Sequence, residues 1–379
     1  MTVIPTPAAA PERPLPPRPH EHELALHYPL GDLQPAPGEA CAVADGVLWV
    51  RMTLPFALNH INLWLVRDRV RRPDGGWLDG WAIVDCGTDM PATRDAWEAV
   101  FAQHLQGLPV VRVIVTHMHP DHMGLAHWLV QRWAREGDDL LVHMSLSDWV
   151  SARNSVSSSN GLSGSGAAEF FRSQGLSDPV LLDRIRARGT FYSDMVPAVP
   201  DRYRRLVHGQ TLPLANGHWR CIAGYGHAPE HIALFEPQRR ILLAGDMVLP
   251  RISTNVSVFM HEPEGNPLAL FLRSLDDMAD LPDDTLVLPA HGRPFTGLHT
   301  RREQLQEHHR QRLAETLAFC RDAPRSAAEL MPVLFRRDLD MHQTTFAMGE
   351  TLAHLHLLWH DGQLQRRRDA QGVWRFSAA

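Results

Sequence analysis

The residues of this chain best suited to chemistry are concentrated in the stretch THMHPDH. It places three imidazoles and one carboxylate within six residues, at His117, His119, Asp121 and His122, directly after an apolar run. Zinc takes imidazole nitrogen and carboxylate oxygen at about 2.0 to 2.2 Å. In extended backbone, side chains two residues apart point to the same side, so His117 and His119 can converge on one ion. The turn that follows redirects Asp121 and His122, which predicts a second ion beside the first.

Further polar residues stand at the ends of predicted strands. The stretches HWRCIAGYGH, HIALFEPQRRILLAGD and TLVLPAHG each predict a strand whose C-terminal end presents His227, Asp246 or His291. Upstream, VLWVRMTLP, INLWLVRDRV and GWAIVDCG predict an antiparallel meander, and VVRVIVTH predicts the strand that leads into the histidine-rich stretch. Helical periodicity follows in MPATRDAWEAVFAQHLQ and AHWLVQRWAREG. This order predicts an α/β fold in which two β-layers are covered by helices.

The composition divides the chain into three parts. Residues 1–37 are rich in proline, alanine and charge, which predicts a flexible arm. Residues 38–299 hold the predicted catalytic domain, and its Gly/Ser-rich segment at 154–166 fits an active-site lid and a plain surface loop equally well. From residue 300 to 379, charged helices followed by a hairpin-like segment predict a small, mainly α-helical, winged-helix-like domain.

Charge and residue usage exclude several kinds of protein. The formal net charge of −6 disfavours a chain whose main task is to bind a phosphate backbone. All 37 basic side chains are arginine, which excludes a Schiff-base lysine and a phosphate-loop lysine. The four cysteines are scattered without a C-x-x-C pair, so neither a disulfide framework nor a cysteine-rich zinc site is predicted.

The sequence predicts a cytoplasmic protein without a membrane partner. The proline-rich N-terminus has acidic residues where an export signal needs an unbroken apolar run. No later stretch reaches the roughly 18 to 20 apolar residues of a membrane span.

The histidine-rich stretch resembles the H-x-H-x-D-H motif of the metallo-β-lactamase superfamily and matches it in full. The other motifs of that family occur in order, with Asp85 in IVDCG, His227 in GYGHAPEH, Asp246 in LLAGD and His291 in LPAHG. The resemblance covers about residues 40 to 300. It implies the αββα sandwich of the metallo-β-lactamase fold.

The resemblance also implies two metal ions per chain, with zinc expected and iron or manganese as alternatives. The implied ligands of one ion are the imidazoles of His117, His119 and His227. The implied ligands of the other ion are Asp121, His122 and His291. Asp246 would bridge the two ions. Asp85 is interpreted either as a residue that orients a ligating histidine from outside the coordination sphere or as an ordinary turn aspartate.

Two metal ions lower the pKa of a shared water toward neutrality and polarise the bond under attack. We therefore expect a bridging hydroxide to attack a carbonyl or phosphoryl centre, with Asp121 as the catalytic residue that orients it. The leading hypothesis is hydrolysis of a small-molecule ester, thioester or lactone, in the manner of glyoxalase II relatives.

Three other functions stay open. The C-terminal part resembles the accessory domain of LACTB2-like proteins, which implies a phosphodiesterase or endoribonuclease that binds RNA through arginines. Those arginines are Arg336, Arg337, Arg366, Arg367 and Arg368. The same residues fit a solvated basic face or a dimer contact, so a homodimer also stays open.

Iron would allow an iron-dependent oxidoreductase. A decayed metal site would leave a non-enzymatic nucleic-acid-binding module, but all seven ligand positions are filled.

Four residues near the predicted motifs have weaker interpretations. His60, Asn255 and Tyr225 lie in segments that can reach the predicted metal site and are candidate substrate contacts. His231 is interpreted either as an extra polar group at the site or as an ordinary histidine at the end of a strand, and the second interpretation is preferred.

Overall fold

The computed structural model describes residues 21–379, apart from residues 57, 73, 137–138, 158–163 and 216. Its first sheet has seven strands whose spatial order follows the chain: β1 Ala40–Ala44, β2 Val47–Thr53, β3 His60–Arg71, β4 Trp77–Val84, β5 Val110–Ile114, β6 Val142–Met144 and β7 Tyr203–Arg205. Strands β1 to β4 pair antiparallel, as the meander predicts, and β4 to β7 pair parallel. Parallel neighbours require crossover connections, and the helices between these strands provide them.

The second sheet has five strands in the spatial order β12, β11, β10, β9, β8. Their bounds are β8 Thr211–Leu214, β9 Gly217–Gly224, β10 His231–Glu236, β11 Ile241–Gly245 and β12 Leu286–Pro289. Strands β11 and β12 are parallel, so their C-terminal ends lie at the same edge. The remaining pairs are antiparallel.

Nine helices of the described chain precede the C-terminal part. They are α1 Glu21–Leu24, α2 Pro91–Gln103, α3 Pro120–Met123, α4 Ala126–Trp133, α5 Leu146–Ser157, α6 Ser165–Ser173, α7 Pro179–Arg186, α8 Phe191–Met195 and α9 Pro267–Asp276. The C-terminal part holds α10 Leu298–Phe319, α11 Ala327–Leu334, α12 Met341–His360 and a hairpin of β13 Leu364–Arg368 with β14 Trp374–Ala378. The three helices and the hairpin agree with the sequence prediction. Likeness to a winged helix stays a prediction.

The two sheets pack face to face, and helices cover their outer faces. Trp49 of β2 and Trp219 of β9 lie in the core between the sheets. Because side chains alternate along a strand, Met52 of β2 faces the other way and packs with Trp97 of α2. On the far side, Phe271 of α9 belongs to a core that the second sheet shares with α10, α11 and α12. This confirms the predicted αββα sandwich.

Two predicted boundaries need comment. Within the predicted flexible arm, residues 1–20 lie outside the described part, but Leu26 is buried in the core and His27 pairs with Thr296. The arm therefore packs on the domain well before residue 37, because its few apolar side chains find a surface that its average composition does not indicate. Of the predicted lid at 154–166, residues 158–163 lie outside the described part; the flanking residues end α5 and begin α6.

None of the described helices combines the length and the apolar character that crossing a bilayer requires. The predicted cytoplasmic location stays a prediction.

Candidate metal centre

The predicted ligands come together at one edge of the sandwich, where several strands end. His117 lies in the turn after β5 and His119 precedes α3, whose first residues include Asp121 and His122. His227 lies in the β9–β10 loop. Asp246 follows β11, and His291 follows β12. Ligand sites at the carboxyl ends of parallel strands are common in α/β proteins.

Three imidazoles form the first half of the site. Nδ1 of His119 lies 2.9 Å from Nε2 of His117 and 3.1 Å from Nε2 of His227, and the last two nitrogens are 3.2 Å apart. Oδ2 of Asp246 lies 3.3 Å from Nε2 of His227. Tetrahedral zinc with bonds of about 2.0 Å holds its ligand atoms roughly 3.3 Å apart. The four atoms therefore have the spacing of one coordination sphere.

The second half combines a carboxylate with two imidazoles. Oδ2 of Asp121 lies 3.3 Å from Nε2 of His291 and 3.8 Å from Nε2 of His122. Oδ1 of Asp246 lies 3.5 Å from His291 and 3.6 Å from His122. Asp246 thus presents one oxygen to each half, which is the placement a bridging ligand needs.

The chemistry of the donor atoms fits a cation. Among the described residues, Nε2 of His122 and Oδ1 of Asp246 are buried and have no hydrogen-bond partner. Buried polar atoms without a partner are uncommon and costly. A divalent ion held by the second half would satisfy both atoms.

Hydrogen bonds from outside the cluster set the orientation of three imidazoles. Nδ1 of His122 donates to Oδ2 of Asp85 at 2.8 Å. Nδ1 of His227 donates to the Asn255 carbonyl, and Nδ1 of His291 donates to the His60 carbonyl, both at 2.7 Å. A proton fixed on Nδ1 leaves the Nε2 lone pair directed at the cluster, which is the usual arrangement around metal ligands.

Asp85 connects the ends of β4 and β5. Its Oδ1 accepts a hydrogen bond from the Thr116 amide at 2.8 Å, and the Thr116 hydroxyl donates to both carboxylate oxygens. Asp85 has φ 62°, a left-handed conformation that aspartate tolerates better than most residues. Asp85 thus lies behind His122, outside the cluster of candidate ligands, and its role in orienting that ring stays a prediction.

The two halves differ in their electrostatics. Burial, together with the neighbouring histidines, lowers the pKa of His117 well below its usual value and that of His119 to about 3, so both rings are neutral. Burial acts the same way on His122, but Asp85, Asp121 and Asp246 outweigh it and raise the pKa of His122 well above its usual value. Burial would raise the pKa of Asp121, yet the facing His122 and His291 lower it to about 2. The first half therefore offers neutral imidazoles, and the second half concentrates negative charge around His122, which suits divalent cations.

Two buried residues that sequence reasoning missed hold the ligand loops in place. The Asp148 carboxylate on α5 accepts hydrogen bonds from the amides of Met118, at 2.8 Å, and Glu230, at 2.7 Å. The Tyr192 hydroxyl donates to the Met118 carbonyl at 2.6 Å. The amide and the carbonyl of Met118, which lies between His117 and His119, are thus both held by hydrogen bonds. The sequence signal for Asp148 is only that of an acidic residue in the first turn of a helix.

A third such residue is His231, which the sequence analysis set aside. It is fully buried, and its Nε2 accepts a hydrogen bond from the Asp246 amide at 3.2 Å. An ideal Cβ on Gly245 would lie 2.1 Å from that nitrogen. Glycine at 245 therefore lets His231 reach under the backbone that carries Asp246.

A cavity of about 220 Å³ opens beside the first half of the site. His119 and His227 line it together with residues of α5, the β9–β10 loop and the segment 257–267. None of the three candidate substrate contacts belongs to its described lining. The His60 ring, whose pKa is lowered by burial to about 3, accepts a hydrogen bond from the Gly292 amide, and Tyr225 packs against the core between the sheets. The carbonyls of Asn255 and His60 bond to His227 and His291 from outside the cluster, so these two residues support the site rather than line the cavity.

The arginines proposed for RNA binding are not equivalent. Arg366 is turned inward, with its side chain 6% exposed, and its guanidinium lies between the rings of Trp359 and Trp374 at 3.9 and 4.1 Å. It pairs with Glu264 at 2.5 Å. Arg366 is therefore not available to an external phosphate, whereas Arg336, Arg337, Arg367 and Arg368 are exposed.

An αββα sandwich that gathers five histidines and two aspartates at a cavity defines a metal-binding hydrolase class. Comparison with known proteins places the chain within that class. The family model described as "Metallo-beta-lactamase superfamily" matches residues 62–134 and 168–291, and the model "Metallo-beta-lactamase-like, C-terminal domain" matches residues 313–379. The second match begins inside α10, beyond the predicted boundary at 300.

Similar proteins agree with these matches. "Probable metallo-hydrolase YqjP" of Bacillus subtilis (strain 168) is 23% identical over 325 residues, which cover 83% of this chain and 92% of that protein. The crystal structure of a beta-lactamase domain protein from Burkholderia ambifaria is 49% identical, covers 95% of this chain and all 100% of its own, and has a TM-score of 0.88. A metallo-beta-lactamase family protein of Thermus thermophilus is 28% identical over 89% of this chain and 100% of its own, with a TM-score of 0.71. The chain belongs to the metallo-β-lactamase superfamily and is a metallo-hydrolase.

Proposed function

We propose that this metallo-hydrolase uses two divalent ions, zinc being the expected metal, to hydrolyse a small uncharged ester, thioester or lactone. The observation that carries the dinuclear part is the placement of Asp246, whose two oxygens face the two halves of the site at 3.3 to 3.6 Å. A site for one ion would need a carboxylate on only one side.

Each half would hold one ion through the atoms described above. When bound, the ions would supply an activated hydroxide and stabilise the negative charge that develops on the substrate oxygen. Oδ2 of Asp121 faces His291, so Oδ1 remains to accept a hydrogen bond and orient the attacking water. The low pKa of Asp121 keeps it an acceptor over the whole working range of pH. Asp85 keeps the proton of His122 on Nδ1.

The cavity supports a small and uncharged substrate. Its volume of about 220 Å³ lies below the roughly 300 to 1,000 Å³ typical of pockets for drug-sized ligands. No arginine belongs to its described lining, and the chain has no lysine. A phosphodiester would bring its negative charge to a lining that holds Glu262 and no arginine, and Arg366 is occupied within the fold.

Turnover of a substrate panel by the zinc-loaded protein tests the proposal. The panel holds an alkyl thioester, an aryl ester, a γ-lactone, an aryl phosphodiester and a single-stranded RNA, all assayed with the same preparation. We expect kcat/KM on a carboxylic substrate to exceed that on both phosphodiesters by at least about a hundredfold, as expected for a cavity that selects by charge. Cleavage of RNA alone would replace the proposal with a ribonuclease. Turnover that requires iron and oxygen would replace it with an oxidoreductase.

A further inference from the structure

The wall of the cavity formed by α5 is polar and uncharged. Ser151, Asn154 and Ser155 line it, at spacings of three and four residues that put them on one face of the helix. Ser155 is only 6% exposed, Ser151 is half-buried and Asn154 is exposed. No hydrogen bond joins these three side chains to another described residue. Polar groups that are nearly buried usually have partners. This face therefore has hydrogen-bonding capacity that a bound molecule can use.

The same helix is tied to the metal ligands. One turn before Ser151, Asp148 holds the amides of Met118 and Glu230, which flank ligands in both loops. The polar face of α5 thus stands in a defined position relative to His119 and His227, which line the same cavity. A substrate held at the metal site would have part of its chain against this helix.

The opposite wall combines apolar and polar residues and is backed by the C-terminal part. Val258 and Phe259 line it between Pro229 and Pro267, and Ser257, His261 and Glu262 belong to the same lining. The Val258 amide donates to the Gly349 carbonyl of α12 at 3.1 Å. An ideal Cβ on Gly349 would come within 2.5 Å of Oγ of Ser257, so helix and wall are in close contact. The cavity is therefore a slot between the polar face of α5 and a second wall on which Val258 and Phe259 provide the apolar surface.

Resting on the hydrolase function proposed above, we infer that this slot selects acyl groups that carry an uncharged hydrogen-bonding substituent. The apolar part of the acyl chain packs against Val258 and Phe259, and its hydroxyl or amide group bonds to Ser151 and Asn154. An unsubstituted acyl chain forms no hydrogen bond with those side chains, and a carboxylate or phosphate meets Glu262 and no arginine in the described lining. The α5 residues are specificity-determining residues and take no part in bond cleavage.

Three thioesters with one leaving group test this inference in the zinc-loaded full-length protein. They are the thiophenyl esters of butyric acid, 3-hydroxybutyric acid and 3-acetamidobutyric acid. One neutral hydrogen bond is worth about tenfold in kcat/KM at most, and two about a hundredfold. We expect at least one substituted thioester to be preferred over the butyryl ester by ten- to a hundredfold. The hydroxyl and amide arms show which substituent the slot takes.

Matched variants locate the preference on α5. Ser151→Ala and Asn154→Ala should abolish it by lowering kcat/KM for the substituted ester about tenfold or more relative to kcat/KM for the butyryl ester. Ser157→Ala makes the same change on the same helix outside the described lining of this cavity and should keep the preference. Equal rates on all three thioesters, or a preference that survives in both variants, would overturn the inference while the hydrolase function stands.

A binding experiment decides the case in which no thioester is hydrolysed. Calorimetry with 3-hydroxybutyramide, 3-acetamidobutyramide and butyramide needs no turnover. Tighter binding of a substituted amide, lost in Ser151→Ala, would retain the selective slot although the hydrolase function had failed. Equal binding, or no binding of any of them, would refute the slot as well.

Discussion

Asp85→Asn tests how the outer hydrogen bonds control the metal site. Asparagine has the same size as aspartate and also tolerates a positive φ, so the backbone at 85 can stay in place. The Thr116 amide requires an acceptor, which keeps the amide oxygen at the Oδ1 position. The amide nitrogen then replaces Oδ2 and presents a donor to Nδ1 of His122, 2.8 Å away in the wild type. His122 can accept this bond only by moving its proton to Nε2, the atom that faces the cluster.

Loss of such an outer partner typically weakens metal binding 10- to 100-fold, which is about 1.4 to 2.7 kcal/mol. Competition with a chromophoric chelator at fixed pH measures the two affinities separately. We expect the half that contains His122 to weaken and the three-histidine half to keep its ion. Asp89→Asn is the matched control, because Asp89 pairs with Arg94 at 2.7 Å. If Asp85→Asn held both ions as tightly as the wild type, Asp85 would be a turn residue and the reasoning about the His122 proton would be wrong.

Three further predictions concern stability. Arg366→Gln removes a guanidinium stacked between two tryptophan rings and should lower the free energy of unfolding in urea by about 1 to 3 kcal/mol. Arg367 is exposed, so Arg367→Gln should change the same quantity by less than about 0.5 kcal/mol. Equal effects would contradict the inward position of Arg366. Gly245→Ala should lower the free energy of unfolding by more than about 2 kcal/mol, because φ of residue 245 is 52° and the new Cβ would meet the buried ring of His231. A melting temperature unchanged from the wild type would contradict this close approach. Burial raises the pKa of Glu350 to about 7, so its protonated carboxyl contributes to the free energy of unfolding below pH 4.5, and this contribution is lost as the pH rises through 7. Between pH 5 and 8 the free energy of unfolding of the wild type should fall by up to about 3 kcal/mol relative to that of Glu350→Gln. Parallel stability curves would show that Glu350 does not titrate there.

The sequence indicates where the candidate ligands meet because the signals for their loops are local. Each ligand follows an apolar strand within a few residues, and parallel strands bring their C-terminal ends to one edge. The motif around His117 and the strand ends before Asp246 and His291 therefore indicate both the elements and their meeting point. The αββα order follows from the same strand and helix pattern.

The supporting residues could not be predicted, because their partners are distant in the chain and are mostly backbone groups. Asp148 bonds to amides 30 and 82 residues away, and no side-chain pattern marks such a contact. The run of arginines on β13 gives no sign of which side of the hairpin is covered. Arg366 faces two tryptophans, while its neighbour Arg367 is exposed. The burial of Leu26 could not be predicted for a similar reason. The average composition of residues 1–37 does not indicate which of their side chains pack against the folded domain.

Metal content per chain, determined by elemental analysis of the wild type and of Asp246→Ala, tests the dinuclear site most directly. Asp246 is the only described residue whose oxygens face both halves of the site. We expect close to two zinc ions per wild-type chain and one or none in the variant, with hydrolysis of the carboxylic substrate lost in parallel. One ion per wild-type chain, or two ions retained by Asp246→Ala, would contradict the bridging role on which the proposed function depends.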